Sequence, residues 1–230
     1  MDLHAAISIR HSVHRFGAAP LDPSVVQSIV ELARRADPLA GRPVEVVLAG
    51  PDQVKGSSAP YHLLAFTTQD DAGFASAGYV LQLADLTLQA QGLGSHWIGL
   101  AGPKAKRPDF TVLLAFGPTD EPPRAEADAS RLPLDRISAQ DNPVARAVRL
   151  APSGVNDQPW LLEFSDKLVR LVHQPRGAMS LVLAKKMDKI SLGIAARHAA
   201  VALEHEGCQV SGPTAACTEA GRFAIDLAYR

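Results

Sequence analysis

The chain has 230 residues, 47% of them hydrophobic, and a formal net charge of −1, enough to bury one sizeable core or two small halves packed against each other. Near-neutral charge gives no pull toward nucleic acid or an anionic membrane, and no segment reaches membrane-spanning length without polar interruption, so a soluble globular protein is expected. No secretory signal is evident, and Cys208 and Cys217 lack the spacing of a redox or zinc pair; both read as free thiols in a reducing compartment, with the cytoplasm as the expected location.

Leu3, Ala6, Ile7 and Ile9 suit a short helix that delivers Arg10-His11-Ser12-Val13-His14-Arg15-Phe16 to its end. Asp22-Pro23 opens a second helix, with Asp22 as N-cap and an apolar stripe from Val25 to Leu32, ending near Ala36. Val44 to Ala49 and Tyr61 to Thr67 read as strands. Residues 76–91 are apolar nearly all round, the pattern of a buried helix, and stop at Gly92-Leu93-Gly94. Lys104, Lys106 and Arg107, beside Pro103 and Pro108, read as a solvated loop with no assigned partner. Phe110 to Phe116 is a further strand, and a long Pro-rich connection to Arg131 divides the chain.

Residues 151–160, Ala-Pro-Ser-Gly-Val-Asn-Asp-Gln-Pro-Trp, concentrate turn formers and amides between apolar segments. They read either as a binding loop, with backbone N–H groups and amides turned outward, or as a helix-to-strand connection with a Trp plugging the core. Pro159 biases Gln158 toward extended backbone and starts a strand at Trp160.

The second half repeats the first. Gly78 and Gly92 bracket one apolar helix, and Gly193 and Gly207 bracket another, each displaced by 115 positions. At the same displacement Ala36 falls on Ala151; Pro43-Val44 falls on Pro159-Trp160 at 116, and Phe110–Phe116 answers Phe223–Tyr229. Such a chain is pictured as a pseudo-dimer with its long helices packed through small residues such as Ala195, Ala199 and Ala202. The copies have diverged: Arg10-His11-Ser12 answers Ala125-Glu126-Ala127, and Pro152 to Asn156 answers Asp37 to Gly41. Trp97 and Trp160 are expected to be equivalent packing points beside the interface. His198 and His205, with Glu204 and Glu206, lack metal-ligand spacing, so no metal is expected.

Arg10 to Phe16 resembles an Arg-x-Ser signature, 151–160 resembles Ala-Pro-Ser-x-x-Asn-x-Gln-Pro-Trp, Gln89 to Gly99 resembles a helix end followed by Gly-Leu-Gly-x-x-Trp-Ile-Gly, and Ser130-Arg131-Leu132-Pro133 resembles a late phosphate-binding segment. On these motifs the chain resembles the flavin-dependent nitroreductase family, and within it the fused-repeat group called "putative TM nitroreductases". The resemblance implies an α+β nitroreductase-like fold in which two tandem half-domains, 1–120 and 121–230, form one compact intrachain pseudo-dimer around long central helices. It implies an FMN site drawn from Arg10, His11, Ser12, Ile98, Gly99, Arg131, Pro152, Ser153, Gly154 and Asn156, with Arg10 and Arg131 on the phosphate and Ser153 and Asn156 on the flavin edge.

The implied activity is NAD(P)H-dependent reduction of a nitroaromatic, quinone or similar acceptor by ping-pong hydride transfer. The flavin carries the hydride, so no side chain is assigned a catalytic role. Fusion implies one complete site per chain, an empty second position, and a monomer or weak homodimer. His14 and Ala129 stand where the family often has lysines, so the phosphate charge is expected to be reduced, and contacts to the flavin pyrimidine are expected within 55–75. The rival expectation is a flavin-binding or flavin-sequestering protein without turnover, or an apo degenerate homologue.

Overall fold

The structure, a computed structural model, describes residues 2–175 and 181–230. Capping side chains set the helix starts: Asp2 accepts from the Ala5 N–H ahead of α1 (Leu3–Ile9), Asp22 from the Ser24 N–H ahead of α2 (Pro23–Arg35), and Asp70 from the Gly73 N–H ahead of α3 (Asp71–Ala90). Between α2 and α3 lie β1 (Glu45–Ala49), β2 (Val54–Lys55) and β3 (Tyr61–Phe66). After α3 come β4 (Gly94–Ile98), β5 (Gly102–Pro103) and β6 (Phe110–Gly117). The second half contains α4 (Pro143–Arg149), β7 (Trp160–Ser165), β8 (Leu168–His173), α5 (Leu181–His205), β9 (Thr214–Cys217) and β10 (Phe223–Ala228).

The two halves repeat one another in topology. One four-stranded sheet runs β1-β3-β6-β4 and the other β7-β8-β10-β9, with every neighbouring pair antiparallel. The displacement of 115 holds in detail. β1 and β7 start at Glu45 and Trp160, so the strand start keeps 115 rather than the 116 suggested by the Pro-x pairs. Single 3-10 turns, Leu39–Gly41 and Gly154–Asn156, each bend through a residue of positive φ, Ala40 at 52° and Val155 at 46°. Both long helices close with a left-handed glycine, Gly92 and Gly207, whose successors Leu93 and Cys208 donate back to Leu88 and Leu203.

The halves meet where α3 crosses α5. A Cβ on Gly78 would overlap the Ile190 carbonyl oxygen, and one on Gly193 would overlap the Ala75 carbonyl oxygen, so each helix presses its backbone against the other at equivalent points. Ala195, Ala196, Ala199, Ala200 and Ala202 are fully buried and keep the remaining contact close. A single hydrophobic core runs through both halves, from Ile7, Ile29 and Leu81 to Trp160, Leu171 and Ile225. A smaller one lies on the first sheet under β2 and β5, around Val54, Leu64, Phe66 and Leu113. No described helix is long and apolar enough to cross a membrane.

Two sequence expectations are corrected. Gln158 is not extended but has φ 49°, because Ser153 Oγ accepts its N–H at 2.9 Å and its side-chain oxygen accepts from the Leu132 N–H at 3.1 Å, contacts that outweigh the pre-proline preference. Trp160 and Trp97 are not equivalent: Trp160 opens β7, the counterpart of β1, whereas Trp97 lies in β4 and gives its indole N–H to Asp85 at 3.1 Å.

Two outcomes follow for the helix crossing. Gly193→Ala is expected to destabilise the protein by about 3 kcal/mol, as an overpacked contact against backbone that cannot yield, read as a lowered urea midpoint. His198, fully buried, bonds Ala147 O at 3.0 Å through Nδ1 and Gln82 Nε2 at 3.1 Å through Nε2, and burial lowers its pKa to about 3. Below the ordinary histidine pKa the unfolded chain takes up a proton that the folded chain refuses, so this residue makes stability fall by about 1.4 kcal/mol per pH unit as pH drops from about 6.5 toward the folded value. His198→Gln is expected to flatten that slope in denaturation curves taken between about pH 6 and pH 4.

Candidate functional site

The extended backbone that leaves α1 at Arg10 lies across the inner sheet edge, where Val13 N–H donates to Ser95 O of β4 at 2.9 Å. Opposite it stands the 3-10 turn of residues 154–156, with Pro152 and Ser153 leading in. A cleft separates them. Its larger lobe, about 500 Å³, is lined by Ser12, His14, His96, Trp97, Gly99, Leu100, Val112, Pro152–Asn156 and, from α5, Met187, Ile190, Ser191 and Ile194. A second lobe, about 210 Å³, is lined by Arg10, His11, Ser12, Arg124, Arg131, Pro152, Ser153 and Asn156. Four residues, Ser12, Pro152, Ser153 and Asn156, border both, so the lobes form one elongated site with a broad apolar end and a narrow basic end.

The basic end is built around a buried pair. Arg10, 2% exposed, gives Nη1 to Asp85 Oδ2 at 3.3 Å, and Asp85 is completely buried on α3. Asp85 also accepts from Ser95 Oγ and Trp97 Nε1, while Gln89 links Ser95 Oγ to the backbone of His11. This network fixes the direction of Arg10. Arg10 therefore pairs with a core carboxylate and not with Glu31 or another surface acid.

Arg124 and Arg131 close the basic lobe from the connection between the halves. Arg131 bonds Asn156 Oδ1 at 2.8 Å and the Leu150 carbonyl at 3.3 Å, and Arg124 reaches Ser8 O at 3.4 Å. Burial first, and then the neighbouring arginines, lower the Arg131 pKa to about 10 and lower that of Arg124; Arg131 remains charged at neutral pH. The buried Nε atoms of Arg10, Arg124 and Arg131 have no partner within the described residues. Of the three guanidinium groups only Arg10 has a carboxylate partner among the described residues, an arrangement that calls for an anion with several acceptor oxygens.

At the apolar end, a Cβ on Gly99 would come within 2.8 Å of Met187 Cε, the flexible end of that side chain, so Gly99 and Met187 together set the width of this wall. His96, whose pKa burial lowers, keeps a buried Nδ1 without a partner and lies 4.2 Å from the His14 ring. Val155 and Leu100 stand at the mouth, 70% and 86% exposed. Val155 holds a left-handed φ, which for a β-branched side chain costs about 1–3 kcal/mol and marks the turn as constrained by its surroundings.

Of the sequence-selected residues, the structure brings Arg10, His11, Ser12, Gly99, Arg131, Pro152, Ser153, Gly154 and Asn156 to the cleft. Ile98 is the exception: strand alternation sends its side chain away from Gly99 and into the second core with Phe16 and Phe110. Two of the amide groups of the 151–160 loop are tied to neighbouring residues, although Asn156 is exposed and borders both lobes. Gly154 N–H donates to Ser191 Oγ at 3.1 Å, and Asn156 bridges Arg131 and Ser130 O. No residue of 55–75 lines either lobe; the remaining wall is α5, brought there by the helix crossing. Arg124 and Asp85 carried no sequence signal, whereas the α5 wall was discoverable from the repeat. Ser76 Oγ accepts from Leu39 N–H at 3.1 Å, the same bond that Ser191 makes 115 residues later.

The pseudo-equivalent position on the opposite side is smaller: a cavity of about 280 Å³ remains there, bordered by Asp37, Tyr79, Ser211 and Gly212, the counterparts of Pro152, Ile194, His96 and Trp97. There Ala40 N–H donates to Pro213 O at 2.8 Å, bolting the turn to the β9 approach, and Leu39 is fully buried. The counterparts, Val155 and Ile98, make no such bond among the described residues, which leaves the cleft open. Ala125 and Ala200 replace the counterparts of Arg10 and Asp85.

A model of the family described as "Putative TM nitroreductase" matches residues 2–203. A Thermotoga maritima structure described as a putative nitroreductase is 21% identical, with a TM-score of 0.70 over 99% of this chain and 94% of that one. A Clostridium difficile nitroreductase family protein is 14% identical, with a TM-score of 0.49 over 62% of this chain and 100% of that one. A Desulfovibrio desulfuricans putative nitroreductase, solved in complex with FMN, is 18% identical, with a TM-score of 0.46 over 61% and 96%. No curated protein matches the chain.

Asp85→Ala leaves Arg10 buried without a counter-charge beside two other arginines, and is expected to cost about 3–5 kcal/mol of stability in chemical denaturation. Inorganic phosphate is expected to recover part of that loss, because an anion in the basic lobe takes over the role of the carboxylate.

Proposed function

From the premise that this chain belongs to the "Putative TM nitroreductase" family, we propose that it is an FMN-dependent oxidoreductase that takes electrons from NAD(P)H and delivers them to a nitroaromatic, quinone or similar acceptor. The observation that carries this reading is the two-ended cleft, basic and narrow at one end and apolar and broad at the other, on the side of the pseudo-dimer that has Arg10 and Asp85. FMN matches both ends: a phosphate dianion for the arginines and a planar tricycle for the apolar lobe. One site per chain is the corresponding stoichiometry, completed without a second copy, with residues 1–120 and 121–230 as its two half-domains.

When bound, FMN supplies the two-electron chemistry, accepting hydride from the donor and passing reducing equivalents to the acceptor. The chain's own residues bind, orient and enclose. Arg10, held in direction by Asp85, joins Arg131 and Arg124 in donating to phosphate oxygens, with Ser12 adding a hydroxyl. Ser153 and Asn156 border both lobes and offer polar atoms between the phosphate and the ring system. Trp97, Met187, Ile190 and Ile194 exclude water from the broad end, and Gly99 leaves the space at its wall. His96, kept largely neutral by burial, presents an imidazole to that end and adds no positive charge there.

The rival reading, flavin binding without turnover, rests on the reduced phosphate charge at His14 and Ala129 and on the single surviving site. Arg124 makes good that charge from a different part of the chain.

Protein purified and soaked in excess FMN is expected to retain flavin absorbance after desalting and to oxidise NADPH with menadione or nitrofurazone as acceptor. Absence of bound flavin would sink the proposal, and tight flavin with no turnover would favour the rival. Arg131→Ala and Arg124→Ala are each expected to weaken FMN binding by about 10- to 100-fold, the worth of one charge-assisted hydrogen bond, measured by quenching of flavin fluorescence.

A further inference from the structure

The first half contains an element that the second lacks. The β7–β8 and β9–β10 connections are tight hairpin turns, whereas the corresponding β1–β3 and β4–β6 connections are long and pair with each other as the β2–β5 ribbon, Val54 opposite Pro103 and Lys55 opposite Gly102. The ribbon is anchored: Val54 is buried in the second core, and a Cβ on Gly56, which holds φ 82°, would come within 3.3 Å of Ala101 Cα. It sits beside the end of β4, at the mouth of the cleft, and with Phe110 it frames a second cavity of about 500 Å³. Leu100 lines both this cavity and the apolar lobe.

The chemistry of this groove differs from that of the cleft. Its floor is Leu100, Pro103, Pro108 and Phe110, and its cations are Lys55, Lys106 and Arg107. Arg107 is already committed, at 2.6 Å to both Glu45 and Asp109 and stacked 3.7 Å over Phe66, so it forms a wall. Lys55 and Lys106 are exposed and have no ion-pair partner among the described residues. Lys186 pins Phe110 from the other side by donating to its carbonyl at 3.1 Å. An apolar floor edged by two unpaired ammonium groups suits a flat heterocycle bearing phosphates.

We propose that this groove holds the phosphorylated adenosine tail of the nicotinamide donor, with the nicotinamide passing over Leu100 into the apolar lobe. The inference rests on the preceding reading that a flavin in the cleft is reduced by NAD(P)H. A lobe of about 500 Å³ that houses a flavin ring has room for a stacked nicotinamide but not for a whole dinucleotide, so the anionic remainder leaves through the mouth. Of the two rims, the Val155 side leads back to Asn156 and Arg131, occupied by the flavin phosphate. The Leu100 side leads to Lys55 and Lys106.

The test compares FMN-loaded wild type with Lys55→Glu/Lys106→Glu by rapid-mixing flavin bleaching across NADPH and NADH concentrations. The expected result is an apparent Kd for the donor raised by about tenfold or more with the limiting rate retained, and a salt dependence between about 50 and 300 mM that is present in the wild type and lost in the variant. An unchanged donor Kd overturns the proposal. A second arm titrates ADP and adenosine 2′,5′-bisphosphate calorimetrically. Binding to wild type that the double variant abolishes supports the groove, and no binding of either nucleotide overturns it. If the nucleotides bind but the wild type retains no flavin or is not bleached by either donor, the groove stands as a nucleotide site and the donor reading of the cleft falls. The tighter nucleotide identifies which donor the groove prefers.

Discussion

Backbone contact between α3 and α5 sets the geometry of everything else in this protein. Gly78 against Ile190 and Gly193 against Ala75 are the same contact made twice, and they fix both the distance between the halves and their pseudo-twofold relation. Without side chains to mediate it, this contact permits little adjustment. It brings Met187, Ile190, Ser191 and Ile194 of α5 beneath a cleft whose upper edge is the first half's β4. The crossing therefore makes the site a property of the interface between the halves.

A symmetric interface offers two equivalent positions, and the chain treats them oppositely. On one side Ala40 bonds Pro213, Leu39 is buried and a smaller cavity is left; on the other the same turn, with the same serine bond to its first residue, stands clear of the facing strand. The polar machinery follows the open side. Arg10, Asp85, Gln89 and Ser95 form a connected network there, and the counterparts of Arg10, Asp85 and Ser95 are Ala125, Ala200 and Val210. A true twofold dimer could not separate these roles, because each substitution would appear at both positions.

The basic lobe carries an electrostatic cost that the fold accepts. Arg10, Arg124 and Arg131 repel one another in a partly buried space, and burial with that repulsion lowers the Arg131 pKa to about 10. Asp85 offsets only part of this. Strain at Val155 on the opposite wall is of the same kind, a local penalty held in place by surrounding structure and relieved by nothing within the chain. The counterpart of Val155, Ala40, has φ 52°, so that strain belongs to the repeated turn, whereas the position equivalent to Arg10 is Ala125 and has no cation.

Much of this was legible in the sequence. Helix caps at Asp22 and Gly92, the paired glycines of the two long helices, the displacement of 115 and the Arg-x-Ser and Pro-Ser-x-x-Asn segments are local or periodic signals, and local physics produces them. The elements, the repeat and nine of the ten selected site residues follow from such signals. What the sequence could not decide depends on contacts between distant residues. Asp85 meets Arg10 across 75 positions, Arg124 reaches the lobe from a connection without pattern, and the two-residue strands β2 and β5 are too short to show a period. The backbone of Gln158 and the direction of the Ile98 side chain are likewise tertiary, since hydrogen bonds to Ser153 and the distant Leu132 override a pre-proline bias and strand alternation decides which side chain faces the cleft. The sequence by itself determined the parts and their repetition. Only the tertiary structure decided how the two positions differ in space, because the Ala40 N–H meets the Pro213 carbonyl across the interface while its counterpart Val155 makes no such bond to Ile98 among the described residues.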